Sequence, residues 1–393
     1  MKTRTIIRTA IVLTFSTLSF VSCDNEPDIP EWPNKSTAEA PDRTVLIYMV
    51  GENSLSRYCA RNIDSIMSGL QNVADPINIL VYEDSNSNKG VLWKIGRNNG
   101  GVTKEVVKSY GNQNSVNVSR MATVIKEAFH MYPGEEKGLV LWSHGSGWLP
   151  TGDYTPAQAP ASDRPVFYSF GQDNTDEMEI WELRMALEQA PKMDFLIFDA
   201  CHMASVEVAY ELKDVTDYLL ASTTEIMGTG FPYQTITPIL NQEELDLVAI
   251  GKAYTSYYNG ITNYGGTLSL IKTEGLDRLA SQYARVYDQY SSRLSSIKGN
   301  DLQQFGRQIS ASADFTNIFY DMKDVVDNLA QGEDAEFKSA LEEVIVYEGH
   351  SADFLSIKLN RNSGMSVFMP ELNTDEVYND AYKELKWWTA TRY

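Results

Sequence analysis

Two apolar runs that each end on a reactive side chain constrain this chain more than any other feature. Asp194-Phe195-Leu196-Ile197-Phe198-Asp199 places four apolar residues in a row, as a strand buried on both faces requires, and then delivers Ala200-Cys201 into a turn. Earlier in the chain, Gly138-Leu139-Val140-Leu141-Trp142 ends on Ser143-His144-Gly145 in the same way. In an open parallel α/β sheet, ligands sit beyond the carboxyl ends of the strands, so two such neighbours would bring a thiol and an imidazole to one crevice.

Charge narrows the partners. The 393 residues include 53 acidic and 33 basic side chains, a formal net charge of −20. So acidic a body repels nucleic acid and anionic lipid and attracts basic ligands, although acidity by itself also serves to keep a surface protein soluble. Three cysteines cannot build a disulfide framework. Cys59 falls in a helical pattern and reads as a small core residue, with a bridge to Cys201 left open as the arrangement that would silence the thiol.

Taken in order, Met1 to Ser22 has a basic start and an apolar stretch diluted by Thr and Ser, the pattern of a signal peptide and not of a membrane span. Cys23 directly follows a small residue, so it reads as a lipid-modified amino terminus, with ordinary signal cleavage nearby as the alternative. Residues 23–43 are a polar, Pro-containing tether, 44–273 the main domain, and 274–393 a smaller, mostly helical unit. Within the main domain, the turn Gly51-Glu52-Asn53-Ser54 is expected to cap a helix from about Leu55 to Gly69, and Ser119 one that runs to Met131. Val91 to Ile95 and Val102 to Val107 read as a hairpin. A helix from Ala204 is expected to point its amino-terminal dipole near the thiol. His130 lies at a helix end, where a cation suits the dipole. Asp173 to Glu177 is acidic but lacks the spacing of a calcium loop, and reads as solvated. No zinc motif or phosphate loop is present, so no metal or other cofactor is expected; calcium is left open without a motif for it.

The His-Gly and Asp-Ala-Cys strand ends resemble those of the clostripain-like (C11) cysteine peptidases of the caspase/gingipain/legumain clan. The strand Thr44 to Gly51, the segment Asp176 to Ile180 and the turn Phe231-Pro232-Tyr233 match as well. The resemblance covers roughly 44–258 well and the remainder loosely. It implies an α/β fold, a caspase-like α/β/α sandwich with a mainly parallel central sheet. Attack on an amide needs a nucleophile, a proton donor for the leaving amine and donors for the oxyanion. Cys201 fits the first role, His144 the second, and the N–H groups of Gly145 and Cys201 the third.

Asp199 lies two residues before Cys201 and so projects to the same side if the strand persists. By resemblance it looks like the floor of a pocket for Arg or Lys; otherwise it is a strand-end carboxylate that bonds backbone N–H groups. Relatives often carry a second acid in the loop after the next strand. Glu225 is the only acid there, with Thr229 deeper in the loop. The family's activation cut follows a basic residue in the long loop after His144. Here Arg164 is followed by Pro165, a poor scissile bond, which argues against self-processing at that place. His202 competes for the role of base, but as the next residue in an extended chain it points away from Cys201.

These readings converge on an exported, lipid-anchored cysteine endopeptidase of the bacterial outer membrane, on its periplasmic or outer face. It would act as a monomer on peptide or protein substrates with Arg or Lys at the cleavage site, touch the membrane only through its lipid and bind no nucleic acid. Two other classes fit the same residues: a non-catalytic binding lipoprotein on this fold, and a transpeptidase.

Overall fold

A computed structural model describes residues 42–73, 76–150, 170–308 and 315–392. The signal peptide, Cys23, the tether up to residue 41 and the Arg164-Pro165 bond lie outside the described residues. Among those described, a nine-stranded sheet carries the fold. Its strands are β1 (Arg43–Gly51), β2 (Asn78–Ser85), β3 (Val91–Asn98), β4 (Gly101–Ser109), β5 (Glu136–Trp142), β8 (Met193–Asp199), β9 (Thr216–Ala221), β10 (Thr267–Lys272) and β13 (Ile345–His350), and the spatial order is β13-β10-β9-β8-β5-β1-β2-β3-β4. The strands from β9 to β2 run parallel, while the β3–β4 hairpin and the β10–β13 pair flank them antiparallel. A small hairpin of β6 (Phe170–Asp173) and β7 (Asp176–Met178) lies over the carboxyl end of β1.

Alternation along the strands splits the core into two layers. Val45, Ile47, Met49, Phe195 and Ile197 face one cluster, shared with α1 (Ser56–Gly69), α5 (Tyr233–Leu240) and α6 (Leu247–Asn259). Leu46, Tyr48, Val50, Leu196 and Phe198 face the other, with α2 (Val118–Met131), α3 (Ile180–Glu188) and α4 (Val206–Leu212). Each such aliphatic or aromatic side chain contributes about 1.5–3 kcal/mol by leaving water, which is why the central strands are continuous apolar runs. Gly138 pairs with Phe195 across β5 and β8, and a side chain there would collide with the Phe195 ring.

The segment after Glu274 corrects the expectation of a separate helical unit. Its strand β13 completes one edge of the large sheet, and all described residues belong to one compact unit. Helices α7 (Leu276–Gln289), α8 (Met322–Ala330), α9 (Ala335–Val344), α10 (Glu376–Lys383) and α11 (Lys386–Thr391) share a core with α2 to α4. A second sheet, β11 (Gln304–Gln308), β12 (Phe315–Asp321) and β16 (Ser366–Phe368), joins them, besides the short pair β14 (Asp353–Phe354) and β15 (Ile357–Lys358). A run of helices in sequence concealed a single hydrophobic core that extends past the sheet. Two expected caps differ as well. Asn117, not Ser119, caps α2, its side chain accepting from the N–H groups of Ser119 and Arg120, and α1 starts after Leu55 without a side-chain cap. Among the described residues no helix is long and apolar enough to cross a membrane.

Candidate active site

Strand register builds the site. β5 and β8 pair in parallel with Trp142 opposite Asp199, so both chains leave the sheet at the same edge and His144 and Cys201 each follow two residues later. Ser143 N donates to Asp199 O at 3.3 Å, which extends the pairing one step further. The two half-buried side chains line one cleft of about 220 Å³, together with Asp199, Glu225, Ile226, Met227 and Gly230.

Gly145 is required by close approach. A Cβ there would lie 2.9 Å from Cys201 O and 3.2 Å from Cys201 N, so any side chain would push the two strand ends apart. The reason is packing between the strands and not only room for a substrate. Beyond it, Gly171 N donates to His144 O at 2.9 Å, fixing the histidine backbone against β6.

Around the thiol, the loop after β9 supplies a backbone donor. α4 begins at Val206, capped by Ser205, and Ser205 bridges to Ser366; neither serine is among the residues that line the cleft. Ile226 N donates to Cys201 Sγ at 3.3 Å, and the thiol reaches Ile226 O at 3.7 Å. On the other wall, Ser54 Oγ lies 2.8 Å from His144 Nε2.

Asp199 is 4 % exposed at the floor of the cleft. Its Oδ2 accepts from Phe231 N at 3.1 Å and from the Tyr233 hydroxyl at 2.9 Å. Burial lifts its pKa to about 6, and the two donors restrain the rise. The loop beneath it is fastened from below. Tyr258 donates to Gly230 O at 2.6 Å, and the Asn62 amide, assigned by its neighbours so that its oxygen accepts from Trp142 Nε1 at 2.9 Å, donates to Thr229 O at 3.1 Å. Gly230 adopts φ +72°, and a Cβ there would meet Asp199 Oδ2 at 2.6 Å. Thr229, in contrast, pairs its hydroxyl with Tyr258 at 3.0 Å and is not among the residues that line the cleft, whereas Glu225 is.

The rival residues lie elsewhere. His202 is fully buried in a left-handed turn (φ 60°), its Nδ1 3.1 Å from Thr223 O and its ring stacked on Phe319. Cys59 is fully buried beneath Gly51, and burial raises its thiol to about 12. Both it and Cys201 are unbridged. His130 is exposed at the end of α2, outside the cleft.

A further group escaped the sequence reading. Glu52, Asp84 and Asp173, from three separate segments, bring carboxylate oxygens within 4.8 Å of one another, the one set among the described residues with the spacing to hold a metal ion. Asp173 is buried and not solvated as its acidic run suggested, because the run folds as a hairpin with Asn174 at φ 54°. Only the spatial meeting of the ends of β1, β2 and β6 reveals the trio.

Residues 47–392 match the family described as Peptidase C11, the clostripain family. Clostripain of Hathewaya histolytica is 24% identical over 304 residues, 65% of this chain and 56% of clostripain, so the match spans little more than half of that relative. An inactive zymogen C11 protease from Parabacteroides distasonis has a similar structure, with a TM-score of 0.75 and 29% identity over 91% of this chain and 99% of that one. So does a secreted C11 cysteine protease from Bacteroides thetaiotaomicron, solved with an irreversible peptide inhibitor, at a TM-score of 0.75 and 27% identity over 90% of this chain and 99% of that one.

Proposed function

Since this chain belongs to the clostripain family of cysteine peptidases, we propose that it is an endopeptidase cutting after Arg or Lys, with Cys201 as nucleophile and His144 as acid and base. The observation that carries the reading is the shared register of β5 and β8, which sets both side chains at one cleft over a buried carboxylate.

The chemistry follows from the groups at hand. Cys201 Sγ, as thiolate, attacks the carbonyl carbon, and the electron pair moves to an oxyanion that the N–H groups of Gly145 and Cys201 receive. The Ile226 N–H donates to the sulfur and so favours its charged form. As the C–N bond breaks, the His144 imidazolium passes its proton to the leaving amine, and a thioester remains. His144 then takes a proton from water, whose hydroxide displaces the thiolate and releases the acid.

For specificity, both bonds to Asp199 fall on Oδ2, so Oδ1 is the oxygen offered to a cationic side chain. A guanidinium suits it bidentately with Glu225 at the cleft wall, an ammonium as a point charge. The thiol and imidazole need no metal for these steps, so a chelator is expected to leave turnover unchanged. A loss that calcium restores would instead place a cation at Glu52, Asp84 and Asp173.

Fluorogenic peptides ending in Arg, Lys, Asp or Leu test the reading, with Cys201→Ala alongside. Arg or Lys is expected to lead by about 10² in kcat/KM, since a buried charge pair is worth several kcal/mol, and the alanine variant to be inert. Turnover led by Asp or Leu, or surviving in Cys201→Ala, sinks it; products of aminolysis in the presence of an added amine identify a transpeptidase instead. Export, supported by the secreted relative, is read as lipid anchoring of a monomer through Cys23, and palmitate labelling that persists in Cys23→Ala would exclude that anchor.

A further inference from the structure

We propose that Arg57 and Arg61, at the rim of the cleft, form a subsite for an acidic side chain of the substrate, so that the preferred peptide carries Asp or Glu near its scissile Arg or Lys. The inference rests on the reading of the Cys201 cleft as a peptide-binding site.

The rim is built by the start of α1. Leu55 lines the cleft, and so does Gly228 of the loop after β9. A Cβ at Gly228 would lie 3.4 Å from Tyr58 Cε2 and 3.7 Å from Leu55 Cδ2, so the Tyr58 ring stands directly against the cleft wall. Two guanidiniums gather on that ring. Cζ of Arg57 lies 4.8 Å from its centroid and that of Arg61 5.6 Å, and Arg57 Nη2 donates to the Tyr58 hydroxyl at 3.0 Å. The attraction of cation for ring keeps both long side chains beside the cleft.

Their placement does not serve stability. The two arginines share a helix face at i,i+4 spacing, where like charges repel, and Arg57 stands in the first turn of α1, where the helix dipole disfavours a cation. Both are exposed, and neither pairs with a carboxylate among the described residues. By contrast, Arg184, Arg278 and Arg361 each meet at least one. A guanidinium pair left open beside a cleft, in a chain with 53 acidic side chains, takes its counter-charge from a ligand.

Floor and rim are complementary in sign. The cleft is lined by Asp199 and Glu225 and by no Lys or Arg. A peptide with a cation at the scissile residue and an anion close by therefore meets opposite charge at both. Guanidinium takes a carboxylate bidentately, and within a Debye length of about 8 Å the pair offsets the repulsion of the acidic body for such a residue.

The test compares Glu with Gln at each position flanking the scissile Arg of a peptide. Two readouts are taken: kcat/KM with the wild-type chain, and Kd by fluorescence anisotropy with Cys201→Ala, which needs no turnover. At one or more positions Glu is expected to be favoured about fivefold, the size of an exposed charge pair, and less than about twofold in about 0.5 M salt. In the double variant Arg57→Gln/Arg61→Gln, which keeps helix propensity, the ratio should fall to near one, and in Arg57→Glu/Arg61→Glu below one. Each ratio compares two peptides on one protein, so a loss of folded protein does not mimic it. No position that favours Glu, or a preference that survives in either double variant, overturns the proposal. A wild type that cuts nothing while Cys201→Ala still prefers Glu removes the peptidase reading and leaves the subsite standing; Arg peptides cut with no preference for Glu remove only the subsite.

Discussion

Two buried carboxylates at the same edge of the sheet behave differently, and the contrast bears on the substrate-binding role proposed for one of them. Asp199, at the end of β8, has its pKa raised to about 6 by burial, and its close partners are donors, Phe231 N–H and the Tyr233 hydroxyl. Asp84, at the end of β2, is raised to about 7, by burial and then by the neighbouring Asp173 and Glu52, against the restraint of Ser115, which donates at 2.5 Å. Burial is common to both; the company differs. An acid among donors keeps its charge for an incoming cation, whereas an acid among acids shares protons or awaits a counter-ion.

Asp199→Asn breaks the contrast most severely. It should lower kcat/KM for Arg peptides by about 10²–10³ while leaving Leu peptides within twofold, because the isosteric amide keeps the shape and loses the charge. Equal losses on both peptides would mean that Asp199 is structural. Gly230→Ala comes next. Its Cβ at φ +72° would displace Asp199 Oδ2, and a loss of about tenfold on Arg peptides is expected along with a lower Tm.

Tyr233→Phe removes one of the two donors that hold Asp199 down. Wild-type kcat/KM for Arg peptides should have an acid limb near pH 6, where the carboxylate gains a proton, and this limb should move to higher pH in Tyr233→Phe with a loss of about threefold at pH 7. Asp199→Asn should lack the limb. Asp84→Asn has the smallest effect and the opposite character. With a folded pKa raised from 3.8 to about 7, ionisation of Asp84 favours the unfolded chain. Its stabilising contribution is therefore complete below pH 4 and is lost as pH rises through 7. The amide should leave turnover unchanged and raise Tm by about 2 °C at pH 8, with no gain at pH 4.

The parts of the site legible in sequence are those set by backbone periodicity. Leu139 to Trp142 and Phe195 to Phe198 announce buried strands because both faces must be apolar, and each strand ends within one residue of its run, β5 at Trp142 and β8 at Asp199. His202 lies apart from the cleft as expected, but through a left-handed turn (φ 60°) and not through strand alternation. What stayed hidden depends on contacts between distant backbones. The donor to the thiol is the N–H of Ile226, which has no sequence signature. The turn Gly51 to Ser54 reads only as the start of a helix; nothing local connects Ser54 to a histidine 90 residues onward. Glu52, Asp84 and Asp173 come from three elements and meet only once the sheet is formed. The continuity of the carboxyl-terminal segment with the main sheet was hidden too, since one antiparallel strand, β13, makes the connection.

The central claim is that Cys201 is a nucleophile served by His144 above a pocket for a cation. A thiol-reactive peptidyl ketone ending in Arg, offered to the intact protein and followed by mass spectrometry, addresses all three parts together. A single adduct on Cys201 is expected, with formation slowed at least about tenfold both in His144→Ala and when the probe ends in Asp, and no reaction at Cys59. Modification of Cys59 in place of Cys201, or equal rates for the Arg and Asp probes, would contradict it.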